Sequence, residues 1–110
     1  MRKVAANYIF LPGNPLIHNG YIVWEEGMIP EVVDTGGVVR DLAGLEFYGG
    51  MIVADYVAEH LAAREEGDAL IVCLERFYCE NTGRAYRPAI IEGADLRRLA
   101  WTKVARLRKL

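Results

Sequence analysis

"GLEFYGGMIVADYVAEHLAARE", residues 44–65, changes its period halfway along. Its first part is broken by Gly44, Gly49 and Gly50 and has room for a short strand at Leu45–Tyr48. From Val53 the pattern is different. Val53, Tyr56, Val57, His60, Leu61 and Arg64 fall on one helical face, and Asp55, Glu59 and Ala62 fall on the other. The spacing predicts one amphipathic helix near residues 53–66. Asp55 lies in its first turn, where free amide groups favour a carboxylate, and Gly67 follows its end. Tyr56, Val57, His60 and Leu61 are expected to face the rest of the fold.

On the N-terminal side, Lys3 to Phe10 is apolar and rich in strand formers, and it stops at "PGNP", residues 12–15. "LIHNGYIVW", residues 16–24, sets Asn19 and Gly20 between two apolar runs, which predicts a two-residue hairpin turn. "MIPEVVDT", residues 28–35, follows, with Pro30 suited to a sheet edge because it cannot donate to a ladder. Three short strands in succession suggest an antiparallel meander. Gly36 and Gly37 open a stretch that reads as irregular.

On the C-terminal side, "ALIVCLERFYCE" and "RAYRPAIIEG" read as a second hairpin turning at Asn81 and Gly83. Beyond it two readings stay open. Leu96, Leu99, Ala100, Val104, Leu107 and Leu110 fit a helical period with Asp95 as a cap, while "TKVARLRKL" also fits a charged edge strand.

The chain has 110 residues, 53% hydrophobic and 25% charged, which predicts one domain over residues 1–110 with a buried core. Its net charge of −2 is unevenly spread, because residues 96–110 hold Arg97, Arg98, Lys103, Arg106, Arg108 and Lys109 and no acid. No apolar run is long enough for a membrane span, and the N-terminus lacks a signal-peptide pattern, so a cytoplasmic protein is expected.

The two ends together resemble the amidohydrolase superfamily, in its deaminase and chlorohydrolase-like branch. The resemblance rests on "KVAANYIFLPGNPLIHNGYIVWEEGMIPEVVDTGG" followed by "LEFYGGMIVADYVAEHL", and on "RPAIIEGADLRRLAWTKVARLRKL" at the other end. It covers most of residues 2–61 and 86–110. In that family the two ends build a small β-rich composite domain around a metal-binding β/α barrel. Such a barrel needs about 250 residues and has no room here. The resemblance therefore implies a mostly β fold, a small antiparallel sandwich or partly open barrel formed by both chain ends, with residues 95–110 returning as an edge strand. His60 falls on the family's first metal-binding histidine and Ala62 on the second, while Ala54 and Asp55 stand where the family has proline and glycine. With the other ligands absent, no metal or other cofactor is expected, since open catalytic sites need about three protein ligands.

The remaining chemistry is sparse. The chain has no serine, which excludes a serine nucleophile. Cys73 and Cys79 are six apart without the spacing of a zinc site, and they read as reduced thiols. Glu25 with Glu26, and Glu65 with Glu66 and Asp68, read as solvated surface. Trp24, Trp101, Tyr48 and Tyr86 read as core or interface anchors. The expected function is a stand-alone, non-catalytic module that associates with itself, as a dimer, or with another protein, and whose ligand the sequence does not name. Membrane and nucleic acid are not expected partners. The competing expectations are part of a hydrolase of non-peptide carbon–nitrogen bonds with its barrel supplied in trans, and an anion- or nucleic-acid-binding module using Arg97, Arg98, Lys103, Arg106 and Arg108 of the basic C-terminus.

Overall fold

The computed structural model describes residues 1–36, 43–63 and 65–110; Gly37, in the stretch expected to be irregular, and Arg64, on the expected helical face, lie outside them. The fold is mostly β. Among the described residues seven strands, β1 (Arg2–Ile9), β2 (Ile17–His18), β3 (Tyr21–Trp24), β4 (Glu31–Val33), β5 (Leu45–Ala54), β6 (Pro88–Glu92) and β7 (Arg106–Lys109), form one sheet. Its order is β4-β3-β1-β5-β6-β7, with β2 also paired to β1. The sheet is open and mixed, because β1 and β5 run parallel while every other pairing is antiparallel. Strands from both ends of the chain thus share one sheet.

The expected hairpin at Asn19 and Gly20 is not a hairpin. β2 and β3 both pair with β1 in one continuous register, Tyr8 opposite His18 and Ala5 opposite Tyr21, and the Asn19 amide donates to the Asn7 carbonyl between them at 3.0 Å. Asn19 takes φ +57° to kink a strand, not to reverse it. A side chain at Gly20 would meet the Val33 carbonyl at 2.7 Å, so glycine there admits β4.

β5 is longer than the expected Leu45–Tyr48. Met51, Ile52, Val53 and Ala54 are fully buried and continue the ladder against β6, from Met51 opposite Ile91 to Ala54 opposite Pro88. A strand covered on both faces carries no alternation to read. The helix expected from residue 53 therefore begins at Asp55, and it is a 3-10 helix, Asp55–Ala63. The register with β1 slips at the Gly49–Gly50 step, where Tyr8 meets Met51 after Ala6 has met Tyr48. Asn7 Oδ1 accepts the Gly50 amide at 2.9 Å.

The first half of the expected second hairpin is instead an α-helix, α1 (Leu70–Glu80). Its buried residues Leu70, Leu74 and Phe77 are spaced four and three apart, a helical stripe hidden among strand-favouring Ile71, Val72 and Tyr78. With the 3-10 helix it covers one face of the sheet, burying Phe10, Met51, Val53, Val57, Ile91 and Trp101. The other face carries its own buried cluster, Val4, Ala6, Ile9, Ile22, Trp24, Ile52 and Ile90.

At the C-terminus the edge-strand reading holds and the helical one does not. Asp95 caps a turn: its Oδ1 accepts the amides of Arg97 and Arg98, and its backbone exchanges two hydrogen bonds with Ala100. Trp101, 1% exposed, then bonds to the backbone of Gly67 and Asp68, which ties this segment to the start of α1.

Candidate binding cleft

A cleft of about 1030 Å³ opens beside Trp24, between the Pro12–Gly13 turn, residues 26–29 and the segment 81–87. Local chemistry shapes both walls. After β3 the chain turns through Gly27 at φ +89°, with the Met28 amide donating to the Glu25 carbonyl. On the other side α1 ends at Asn81, whose side-chain amide donates to the Phe77 carbonyl at 2.8 Å. Gly83 takes φ +78° in the following turn, and the Arg84 amide donates back to the Asn81 carbonyl. Asp55 then holds Arg87 by two bonds, its carboxylate accepting the Arg87 amide at 3.1 Å and its own amide donating to the Arg87 carbonyl at 2.9 Å.

These constraints set guanidinium groups over aromatic rings. The Arg87 guanidinium lies 5.5 Å from the centre of the Trp24 indole, and that of Arg2 lies 5.9 Å from it. Arg2 is fixed by a two-pronged ion pair to Glu46 at 2.9 Å, to which Tyr48 also donates. The hydrogen bonds from Arg2 hold the Glu46 carboxyl below its usual range. The Arg87 guanidinium is held more loosely: it lies 3.4 Å from Glu26, and both side chains are exposed. Arg84 sits 5.0 Å over Tyr56 and is clasped by Glu59 at 2.6 and 2.7 Å. Trp24 is 3% exposed, and its indole nitrogen makes no hydrogen bond.

The cleft brings together guanidinium groups, phenols and apolar side chains. Burial pushes the phenols of Tyr78, Tyr86 and Tyr56 up, so each stays protonated near neutral pH. Tyr78 donates to the Phe10 carbonyl and accepts the Ala54 amide, which occupies its hydroxyl structurally. Cys79 lines the cleft as an exposed free thiol. Among the described residues no three His, Cys, Asp or Glu side chains converge as metal ligands.

The positions singled out in the sequence are dispersed. His60 lies on the 3-10 helix, stacked on Phe77 of α1. Arg97 and Arg98 lie in the Asp95 turn, Lys103 in the segment before β7, 3.8 Å from Glu66, and Arg106 and Arg108 on β7. Arg108 is 3.1 Å from Glu92. Arg84 and Arg87, which shape the cleft, were not singled out; the available signal was the basic and aromatic run "RAYR" directly after a turn and before Pro88. No described helix is long and apolar enough to cross a membrane. Compared with protein-family models, with curated proteins and with solved structures, the chain finds no match.

Proposed function

We propose that the chain is a non-catalytic binding module whose ligand sits in the cleft beside Trp24. The observation that carries this is the placement of Arg87 over the Trp24 ring with only a loose, exposed counter-ion. An exposed ion pair of this kind contributes little. An incoming carboxylate or phosphate can therefore take the place of Glu26, while Trp24, Met28, Ile29 and Tyr86 offer apolar contact beside it. The ligand class is a compact organic anion with a flat apolar part.

The proposal includes descent from the composite domain of amidohydrolases. It is supported by the meeting of both chain ends in one sheet, β1 beside β5 and then β6 and β7. α1, between the two matching ends, covers sheet surface that a barrel-less module would otherwise leave bare. The two buried faces of one uninterrupted sheet support a partly open barrel as the finer description. Self-association belongs to the same reading, through surfaces other than the cleft.

The test is titration of the isotope-labelled protein with phenyl phosphate and with benzoate, followed by amide chemical shifts. Saturable shifts confined to residues 24–29 and 81–87, and lost in Arg87→Ala, are expected. Unsaturable shifts, or shifts elsewhere, would overturn the cleft as the site. Stoichiometric zinc or iron in the purified protein would favour the hydrolase completed in trans.

A further inference from the structure

An open sheet has two ends, and these two differ in sign. Among the described residues β4 and β7 each pair with one strand only, so each leaves one side of its backbone without a partner strand. Glu31-Val32-Val33-Asp34 runs along the first edge and Arg106-Leu107-Arg108-Lys109 along the second. Glu31, Asp34, Arg106 and Lys109 are all exposed, and among the described residues none of the four has an ion pair.

We propose that β4 of one copy adds to β7 of the next, so that the sheet continues from molecule to molecule. In the antiparallel register Asp34 faces Arg106, Val33 faces Leu107, Val32 faces Arg108 and Glu31 faces Lys109. An acid meets a base at both ends, and between them Val33 meets Leu107. Arg108 does not disturb this, since Glu92 and the Tyr48 ring already hold its guanidinium. Parallel pairing keeps the charge match, with Glu31 on Arg106 and Asp34 on Lys109.

Like edges are excluded by the same charges. Two β4 edges would set acid on acid, and two β7 edges base on base, which is destabilising for residues directly opposite each other. The devices that guard an edge against its own kind thus select the unlike edge. Such a contact is head-to-tail and produces chains or rings, not a closed twofold dimer. A strand of four residues makes an interface well below the standard size, so the association is weak and grows with concentration.

This inference rests on the self-associating part of the proposed function and not on the cleft. Sedimentation velocity of the full chain, from micromolar to millimolar, is the measurement. Species larger than a dimer are expected to grow with concentration in low salt, with affinity about tenfold or more weaker near 1 M salt, where charges are screened beyond about 3 Å. Two double variants complete the test, Glu31→Lys with Asp34→Lys, and Arg106→Glu with Lys109→Glu. Each alone has two like-charged edges and stays monomeric; mixed, they associate. A wild-type chain that stays monomeric, a salt-insensitive dimer, or variants that associate alone would overturn the proposal. Circular dichroism checks each variant's fold, and if one unfolds, the wild-type concentration and salt series decides. Arg87→Ala leaves both edges intact, so failure of the cleft and failure of the edges are read separately.

Discussion

The imidazole of His60 lies nearly flat against the ring of Phe77, with centres 4.2 Å apart and planes 12° from parallel. This stack joins the 3-10 helix to α1. Arg76 approaches the same ring at 5.4 Å, and the His60 Nε2 is buried without a hydrogen-bond partner. The side chain is used as a flat hydrocarbon. We predict that His60→Leu stays within about 1 kcal/mol of wild type, or gains, because it removes an unsatisfied buried polar atom. Thermal melting checks this, and a loss well beyond that range would sink the packing role.

Of the described glycines, Gly50 leaves the least space for a side chain. It takes φ +138°, and a Cβ there would stand 2.1 Å from the Ile91 carbonyl oxygen, a backbone atom that β6 cannot move aside. We predict that Gly50→Ala costs at least ~2 kcal/mol by strain and overpacking together. Gly49→Ala is the control, since its nearest neighbour is 3.9 Å away. Urea denaturation of both variants would refute this if they were equally stable.

Tyr78 joins α1 to β1 and β5 through one hydroxyl. We predict that Tyr78→Phe lowers stability by about 1–3 kcal/mol by leaving the Phe10 carbonyl without its donor. Burial also raises the phenol above the ordinary 10.0. The unfolded chain therefore loses this proton first, and stability falls as pH climbs past 10.0 towards the folded value. The phenylalanine variant should show a shallower alkaline decline.

Arg87 shares the cover of the Trp24 indole with Arg2. Trp101, the other tryptophan, is 1% exposed at the opposite face of the sheet, so a change at the cleft is read from Trp24 alone. We predict that Arg87→Ala shifts tryptophan emission to the red and increases quenching by iodide, with the melting temperature little changed. An unaltered spectrum would mean that Arg87 does not shield the ring.

How much of this was legible varies with how local the cause is. β1 announced itself by composition, whereas the segment of β7 fitted a helical period as well as a charged edge strand. Trp24 and Trp101 are the buried anchors their type suggested. α1 was concealed because β-branched and aromatic residues, Ile71, Val72 and Tyr78, surround its buried stripe of Leu70, Leu74 and Phe77, and propensity spoke against period. The kink at Asn19 was misread because positive φ serves a bent strand as well as a turn. The parallel pairing of β1 with β5 leaves no local mark at all. The cleft was illegible for the same reason: Trp24 and Arg87 meet only after β3 and the start of β6 have been placed at opposite sides of β1 and β5.

That parallel pairing has a further consequence. Cut along the β1–β5 ladder, the sheet falls into two halves, and each is an unbroken run of sequence: β1 to β4 within residues 1–36, and β5 to β7 with both helices within residues 43–110. The ladder is a seam. Lys3 must find Leu45 to join the halves, a closure about as long as the one that brings Met51 to Ile91 inside the second half. The core is divided across it, Val4, Ala6, Ile22 and Trp24 on one side, Ile52 and Ile90 on the other. Two separately made fragments would hold matching halves of one interior, and we predict that mixing them restores the native circular dichroism that neither fragment has alone.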